Sequence, residues 1–309
     1  MMREQKTIFA SRQAMLPLAL LVMFFWGSLF PMIKVGYAAF QLDTSFVPNI
    51  MLFAGVRFVL CGLILVGSLG ATGKTMRPPE KKEWMPVLMV ALFGYFLHYV
   101  CTYTGLSMVE SSKTAILKQV GSLFIICFAF LFRKEDKFSW KKLLSGILGF
   151  ASIVVVNMNG AQFQFGWGDV LILCASFCSA ISMIFSKNAY DRCDPMRVTA
   201  WAQLISGVML TLVGLGLGGR ITFSGSSAFG ALAYICFASC MGYSMWNNLV
   251  KYNDLTRLNE IKFTEPLFSA VCSAILLSEN IFRWSYLLSF VLVAVGIFVG
   301  SDKKKKAAH

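Results

Sequence analysis

Two lysines lie deep inside apolar stretches of the sequence. Lys118 lies in the apolar run 112–132, and Lys262 lies in the run 255–277, just before Glu265 and Pro266. A charge in hydrocarbon costs at least about 2.5–3.5 kcal/mol on insertion scales, so such residues normally face a polar interior. The lysines therefore predict attraction of a carboxylate or a phosphate. The alternative is that each long side chain snorkels to a membrane surface, since both lie about two turns from a helix end.

The stretch around Lys262 occurs twice in the chain. When residues 112–156 are shifted by 144 positions, 12 of the 45 aligned residues are identical without a gap. Apolar composition explains the shared leucines, but not the matched pairs Lys118/Lys262 and Trp140/Trp284. An internal duplication of this kind is typical of transporters that are built from repeats.

Composition indicates a membrane protein. Of the 309 residues, 57% are hydrophobic and only 14% are charged, and the mean hydropathy is +0.67. A soluble domain carries roughly 25% charged residues. The nine cysteines follow no metal or disulfide spacing and are interpreted as small apolar packing residues. We therefore predict an all-α polytopic membrane protein without a metal or a cofactor.

The apolar runs predict ten transmembrane helices. They form two five-helix repeats, residues 1–158 and residues 159–309, the second with a basic C-terminal tail, within one structural domain. Because five is an odd number, the second repeat enters the membrane from the opposite side, so the repeats are inverted. The predicted spans are Met15–Phe40, Val47–Leu69, Trp84–Leu106, Ser112–Phe132, Leu143–Val156, Trp167–Ser186, Met196–Leu217, Ala228–Leu249, Leu255–Leu277 and Trp284–Gly300.

The positive charges predict the orientation. With both termini in the cytoplasm, 21 Lys and Arg residues lie in cytoplasmic segments and 3 in outer segments, as the positive-inside rule requires. These residues are topology determinants in six short segments, so the net charge of +13 does not indicate a nucleic-acid partner. The sequence also has no GxxxxGK[ST] loop, so ATP is not expected to drive the protein. We predict a multi-pass cell-membrane protein that is a monomer or a weak homodimer.

Three more ionisable residues within the predicted spans are candidates for the site. Glu265 shares a helix face with Lys262, where it either neutralises the lysine in an ion pair or carries a coupling proton. Arg57 lies too deep to reach a membrane surface easily, and pairing with a carboxylate such as Glu265 is the expected role. His98 either makes an ordinary hydrogen bond or contacts the substrate or a proton.

Aromatic residues beside small or polar ones predict a wet cavity with stacking walls. Trp26, Tyr243 and Trp246 each have glycine, serine or asparagine neighbours. The predicted substrate-binding residues are Lys118, Lys262, Trp26, Ser28, His98, Tyr99, Thr102, Tyr103, Tyr243, Trp246 and Asn247, with Glu265 and Arg57 as the proton-coupling or ion-pair residues.

Short motifs in order along the whole chain carry a family resemblance. They are Trp26-Gly27-Ser28 with Lys34, then Arg57-Phe58, Gly168-Asp169 and Glu265-Pro266, and the glutamates Glu135 and Glu279 that close spans 4 and 9. The chain resembles the drug/metabolite transporter superfamily, in particular the ten-span EamA-type transporters. The resemblance implies two inverted repeats around a central cavity that is lined mainly by spans 1, 3, 4, 6, 8 and 9. The sequence departs from the family pattern at Ser122, Cys178 and Lys118.

The sequence thus predicts a secondary transporter, possessing no enzymatic activity, for a small polar metabolite that bears a carboxylate. Transport would proceed by alternating access at a cavity near the membrane midplane, with a proton as one candidate coupling ion. The alternative is a carrier of organic cations that uses Glu265 and aromatic residues. An intramembrane enzyme would need a nucleophile with a base, or a metal cluster, at membrane depth, and the residue types in the spans do not supply either.

Overall fold

The computed structural model of the protein describes residues 8–132, 140–159, 162–190, 193–223, 225–253, 258, 261–262 and 264–300. The regular secondary structure of this part of the chain is helical apart from a short hairpin in which Met158–Asn159 pairs with Gln162–Phe163. The helices are α1 (Arg12–Ala39), α2 (Val47–Ala71), α3 (Trp84–Met108), α4 (Ser111–Phe132), α5 (Trp140–Val156), α6 (Trp167–Tyr190), α7 (Pro195–Gly216), α8 (Ser226–Tyr252), α9 (Glu265–Leu277) and α10 (Trp284–Gly300).

Several of these helices suit a bilayer. Within the described residues, five helices are long and apolar enough to cross a membrane, namely those in α1, α2, α3, α7 and α8. Four shorter apolar helices lie in α5, α6, α9 and α10. A helix satisfies its own backbone hydrogen bonds, which is what hydrocarbon demands of a spanning segment. The predicted all-helical membrane fold is confirmed, whereas the number of ten crossings stays a prediction.

Proline and an acidic cap define two helix starts. The Asp194 side chain accepts hydrogen bonds from the backbone N–H groups of Met196 and Arg197, at 3.0 and 3.4 Å, so α7 begins at Pro195. Helix α9 begins at Glu265 and has Pro266 in its first turn. A proline is tolerated there because its missing N–H would have no helical partner anyway. Pro266, which lies inside the predicted span 9, is therefore located at a helix start.

Helix α3 contains a wide segment that the sequence does not predict. Val90–Leu97 forms a π-helix between two α-helical parts, and His98 follows it directly. π-Helical turns are rare and frequently occur at functional sites. The segment decides which face of α3 the residues after it present to the rest of the bundle.

Helices α2 and α7 pack closely and run antiparallel. A Cβ atom on Gly55 would lie 2.6 Å from the backbone nitrogen of Thr211, and one on Gly62 would lie 2.7 Å from Cα of Leu204. Residue numbers therefore rise along one helix as they fall along the other. Small residues allow such close backbone approach within membranes. Helices α2 and α7 are the second helices of the two halves, and inverted repeats require such corresponding helices to run antiparallel.

Several other helix contacts occur in matched pairs. Helix α1 packs against α8 and α9, and helix α6 packs against α3 and α4. Helices α5 and α10 pack against each other. If the first five helices correspond in order to the last five, each of these contacts has a counterpart in the other half. The arrangement places α1, α3, α4, α6, α8 and α9 around a common centre.

Candidate substrate-binding site

Residues 144 positions apart occupy equivalent places in the two halves. A Cβ atom on Gly121 in α4 would lie 3.0 Å from the carbonyl oxygen of Ser176 in α6. In the other half, a Cβ atom on Gly27 in α1 would lie 2.7 Å from the carbonyl oxygen of Glu265 in α9. Glu265 follows Gly121 by 144 residues, which is also the spacing of the two lysines. The duplication in the sequence is therefore visible in the packing.

Two tyrosines join the halves at the centre. Tyr99 of α3 and Tyr243 of α8 are 144 residues apart, and their hydroxyl oxygens lie 2.9 Å from each other. Both side chains are half-buried. Equivalent residues that bond to each other must lie close to the axis that relates the repeats. The Tyr99–Tyr243 pair therefore marks the centre of the candidate site.

Lys118 points into the bundle. Its Nζ atom lies 2.9 Å from Nε2 of His98 and 3.4 Å from Oγ1 of Thr102. It also lies over the rings of Phe30 and Tyr99, at 5.6 and 5.7 Å from their centroids. These contacts hold the ammonium group among helices rather than at a membrane surface. The snorkelling alternative is therefore wrong for Lys118 in this conformation.

Lys262 faces an aromatic cluster. Its Nζ atom lies 5.9 Å from the centroid of Trp26. The Trp26 ring packs on Tyr243 and Trp246, with centroids 5.6 and 5.3 Å apart. Trp26 fits beside α8 because Gly242 has no side chain: a Cβ atom there would lie 2.5 Å from the indole nitrogen. Lys262, Trp26, Tyr243 and Trp246 are all half-buried, which is consistent with the wall of a cavity.

Glu265 has a different partner from the one expected. Its carboxylate accepts a hydrogen bond from the side-chain amide of Gln119, at 3.3 Å, and it is buried. Within the described part of the chain, Glu265 and Lys262 form no ion pair closer than 4.0 Å. Glu265 thus connects α9 to α4, and Lys262 is left facing the aromatic rings.

Among the described residues, Arg57 bonds to hydroxyl groups and not to the carboxylate that was expected. Arg57 is fully buried, and its guanidinium group donates hydrogen bonds to the hydroxyl groups of Tyr103 and Ser239. It also lies 4.8 Å from the centroid of the Phe58 ring. Neutral hydroxyl groups and an aromatic face surround this cation within the core, and its Nε atom has no hydrogen-bond partner among the described residues. Arg57 joins α2 to α3 and α8 rather than lining a cavity.

Other predicted site residues are engaged within the bundle. Ser28 donates to the carbonyl oxygen of Phe25 at 2.9 Å and lies 2.7 Å from the Tyr234 hydroxyl. Tyr103 is fully buried and Thr102 is 1% exposed. In this conformation these side chains support the half-buried residues instead of facing a cavity. Asn247 lies in α8, but its side chain is outside the described residues.

Cations at one end of the bundle have carboxylate partners. Lys34 Nζ lies 3.6 Å from Oε1 of Glu279. Glu279 follows the end of α9 and accepts hydrogen bonds from the backbone N–H groups of Ser111 and Ser112, at 2.8 and 3.1 Å, and from the Ser112 hydroxyl at 2.8 Å. Glu279 therefore caps the start of α4, where the helix dipole favours a negative charge. We refer to Lys34, Glu279, Ser111 and Ser112 as the end clamp.

A cavity of about 350 Å³ opens beside the end clamp. Its lining includes Lys34, Tyr37, Thr44 and Ser107. Small-molecule sites commonly start at about 300 Å³. The cavity is lined by the end of α1, the loop that follows it and Ser107 of α3.

Some site residues were missed from the sequence. Tyr99 and Tyr243 were predicted separately, but their equivalence was not, although extending the 144-residue shift back to residue 99 would reveal it. Gln119 was missed because a lone polar residue beside Lys118 carries no pattern. Phe30, which lies under Lys118, is indistinguishable in the sequence from other apolar residues of α1.

The fold and the site together define a polytopic helical transporter that is built from two repeats. The profile of the EamA-like transporter family matches residues 13–158 and 166–301. The chain therefore belongs to the EamA-like transporter family, and the predicted resemblance is confirmed. Members of this family are transporters and not enzymes.

Characterised and uncharacterised relatives agree with this assignment. The S-adenosylmethionine/S-adenosylhomocysteine transporter of Chlamydia trachomatis serovar L2 is 26% identical over 73% of this chain and 73% of its own length. The uncharacterized inner membrane transporter YedA of Escherichia coli K12 is 27% identical over 90% of this chain and 88% of its own length. A solved crystal structure superimposes with a TM-score of 0.65 at 15% identity and covers 94% of this chain and 97% of that chain, which supports the fold alone.

Proposed function

We propose that this protein is a secondary transporter that moves a small, carboxylate-bearing, amino-acid-like metabolite across the cell membrane. The observation that carries the proposal is the setting of Lys118 and Lys262. Both are half-buried inside the bundle, and within the described residues neither has a carboxylate within 4.0 Å. A desolvated cation without a carboxylate partner attracts an anion strongly. The ligand would supply the missing negative charge.

The aromatic residues suit the remainder of such a ligand. Trp26, Tyr243 and Trp246 form one cluster beside Lys262, and Tyr99 lies beside Lys118. S-adenosylhomocysteine, which the name of the chlamydial relative mentions, carries both an amino-acid carboxylate and a flat adenine ring. A ligand of this type could bind a lysine with its carboxylate while its ring stacks on the cluster. It is a reasonable first probe for this chain.

Alternating access would follow from the repeats. The proposed units are residues 1–158 and 159–309, which rock about the axis near Tyr99 and Tyr243, while Lys118 and Lys262 lie on opposite sides of the membrane midplane. The positive-inside distribution supports cytoplasmic N- and C-termini. The protein would reside in the cell membrane and use a gradient of protons or of substrate.

A carrier of organic cations is the second candidate. Trp26 and Trp246, with centroids 5.3 Å apart, could bind a cation over their faces. The backbone of Glu265 approaches Gly27, which follows Trp26. Glu265 is buried and bonded to Gln119, however, whereas two lysines face the centre. The balance of charge at the site favours an anion.

Thermal stabilisation of the purified protein in nanodiscs tests the proposal. The ligands are S-adenosylhomocysteine, L-methionine, adenosine and tetraphenylphosphonium. A ligand at 100 times its dissociation constant adds about 2.7 kcal/mol to stability. We expect the two carboxylates to stabilise the protein more than adenosine does, and Lys262→Met to abolish that difference.

A matched control for this experiment is Lys74→Met. Lys74 pairs with Asp194 at 2.8 Å, is 40% exposed and lies between α2 and α3. Its removal should leave ligand stabilisation unchanged. Stabilisation by tetraphenylphosphonium alone would refute the anion proposal and favour the organic-cation carrier. Equal carboxylate binding by Lys262→Met and the wild type would also refute it.

A further inference from the structure

We propose that Lys118 and His98 form a proton-binding site in which one excess proton is shared, and that a second proton binds there together with the substrate carboxylate. The binding of a second proton together with the substrate rests on the proposed function. It assigns the coupling proton to the first repeat, and not to Glu265.

The hydrogen bonds of His98 fix its tautomer. Nδ1 of His98 lies 2.8 Å from the carbonyl oxygen of Ala175. A carbonyl oxygen only accepts hydrogen bonds, so Nδ1 carries a proton and donates it. Nε2 lies 2.9 Å from Nζ of Lys118, so it accepts a hydrogen bond from the lysine through its lone pair. The imidazole is therefore neutral in this arrangement, and the lysine carries the positive charge.

The contact between the two nitrogens limits the charge of the pair. One proton lies between Nζ and Nε2, and in this arrangement it is bonded to Nζ of Lys118 while Nε2 of His98 accepts the hydrogen bond. If both groups were cations, two N–H donors would face each other at hydrogen-bond distance, which is strongly repulsive. The observed 2.9 Å contact therefore excludes a total charge of two on Lys118 and His98, and the proposal assigns the pair one excess proton.

The charged groups around the pair are few. Glu265, Lys262 and Arg57 are the charged residues whose fields act on Lys118. Glu265 is bonded to Gln119, and Arg57 is bonded to hydroxyl groups of α3 and α8. Helix α1 contributes the Phe30 ring, α3 contributes Tyr99 and Thr102, and α6 contributes the Ala175 carbonyl group. Glu265 is thus the one carboxylate among the described groups that act on Lys118.

The second repeat has a ring at the same place but not a base. The residue 144 positions after His98 is Gly242, and the Trp26 indole fills the space beside it. Trp26 corresponds to Ala175, because Trp26 and Ala175 are 149 residues apart, as are the matched residues Gly27 and Ser176. An indole nitrogen is a donor without a lone pair for a lysine proton. Lys262 therefore faces a ring that cannot take its proton.

This asymmetry divides the tasks between the lysines. Lys262 remains a cation and is suited to hold the substrate carboxylate. At the Lys118–His98 pair, a proton from water adds to Nε2 of His98, and the N–H bond of Lys118 that pointed to Nε2 turns away. The two cations then need an anion, which a substrate carboxylate supplies. When the substrate leaves, the proton on Nε2 returns to water and Lys118 donates to Nε2 again.

Nuclear magnetic resonance of the protein in nanodiscs, labelled with ¹⁵N-histidine, tests the pair without any substrate. The chain contains two histidines, so the His98 ring signals can be assigned with His98→Asn. We expect the neutral tautomer with a proton on Nδ1 and an Nε2 that accepts a hydrogen bond. In Lys118→Met, the Nε2 signal should shift to that of a nitrogen that accepts no hydrogen bond from an ammonium group, because the lysine donor is lost.

The repeat-equivalent variant Lys262→Met is the matched control, and it should leave the tautomer and the Nε2 hydrogen bond unchanged. A proton on Nε2 instead of Nδ1 in the wild type would overturn the proposal. So would His98 signals in Lys118→Met that are identical to those of the wild type at every pH.

Proton uptake tests the coupling. S-adenosylhomocysteine is added to the wild-type protein in weakly buffered solution, and the pH change is recorded. We expect uptake of about one proton per bound molecule in the wild type and none in His98→Asn, since the Nε2 site is removed. Binding with no proton uptake, or equal uptake by both proteins, would overturn the coupling.

The two proposals fail in different ways. If S-adenosylhomocysteine and L-methionine do not bind to the wild type, the proposed function fails, whereas the ring signals still decide whether Lys118 and His98 share a proton. If both ligands bind but His98 has the other tautomer, the proposed function stands and the proton-binding site is refuted.

Discussion

The cations at the end of the bundle and the cations at its centre have opposite kinds of partners. At the end, Lys34 lies 3.6 Å from Glu279, and Arg283 lies 3.0 Å from Glu110. At the centre, Lys262 lies over the Trp26 ring. A cation that already has a carboxylate gains little from a second anion, whereas a cation that faces rings still lacks a counter-ion. This difference distinguishes the end cations, which hold helices together through ion pairs, from the central cations, which can still bind an anionic ligand.

The largest expected effect is a reversal of charge at the centre. In Lys262→Glu, transport of S-adenosylhomocysteine into proteoliposomes should fall at least about 100-fold, or about 2.8 kcal/mol at 1.4 kcal/mol per tenfold change. The reason is that two carboxylates would repel each other beside Trp26. Arg283→Gln removes an end cation whose pair is 39% and 36% exposed, and it should change transport less than about twofold. Similar losses in both variants would abolish the distinction between centre and end.

The next effect concerns the stability of the end clamp. Glu279→Gln removes a carboxylate that accepts three hydrogen bonds from Ser111 and Ser112, and bonds to charged groups contribute about 1.5–3 kcal/mol each at most. We expect a loss of about 1–3 kcal/mol, measured by thermal unfolding in nanodiscs. Glu110→Gln is the matched control and should cost below about 1 kcal/mol, because its ion pair is partly exposed. Equal costs would show that the caps on α4 contribute no special stability.

The hydrogen bond at the centre should have a smaller effect. Tyr99→Phe or Tyr243→Phe removes one bond between the repeats, with a net cost of about 0.5–1.5 kcal/mol. The double variant should cost about as much as either single one, because both substitutions remove the same bond. Thermal unfolding of the three variants gives the coupling energy. Additive losses would show that the two hydroxyl groups act independently.

The smallest expected effect lies outside the membrane spans and depends on pH. Burial alone would raise the pKa of Asp194, but the hydrogen bond and charge of Lys74 and the N–H groups of Met196 and Arg197 lower it below its ordinary value. A lowered pKa stabilises the fold above the ordinary value, about 3.9, and that contribution is lost as the pH falls through the folded-state pKa. Asp194→Asn should therefore cost below about 1 kcal/mol near neutral pH and nothing in strong acid.

The pH dependence of that cost is measured by comparing unfolding of the wild type and Asp194→Asn across the acidic range. The two curves should converge as the pH falls. Curves that stay parallel would show that the cap on α7, rather than the charge of Asp194, makes the difference.

Much of the fold could be predicted from the sequence because a bilayer places simple constraints on the segments that cross it. Apolar runs predicted the helices, and a lysine repeated after 144 residues predicted the duplication. It was harder to predict which side chains would pair with each other. Arg57 was expected to pair with Glu265 because opposite charges attract, but a guanidinium group in a tight core is also satisfied by hydroxyl groups such as that of Tyr103. Spacing along a helix does not tell which neighbouring helix supplies the partner.

Site geometry was predicted unevenly for a similar reason. The identities of Lys118 and Lys262 were evident because a charge in an apolar run is conspicuous. Their surroundings were not, since Phe30 and Gln119 have no distinguishing pattern. The inward direction of Lys118 depends on His98 of another helix, and a contact between helices depends on how they pack.

The π-helical segment Val90–Leu97 sets the rotational phase of the residues that follow it in α3. An α-helix advances about 100° per residue, so a single extra residue in a wide turn rotates everything beyond it by about that angle. Tyr99 and His98 come immediately after this segment. Deletion of one residue from it would therefore swing the imidazole ring away from Lys118 without changing any contacting residue. The geometry of the proton-binding site therefore depends on the number of residues in the π-helical segment as much as on which residues form the contacts.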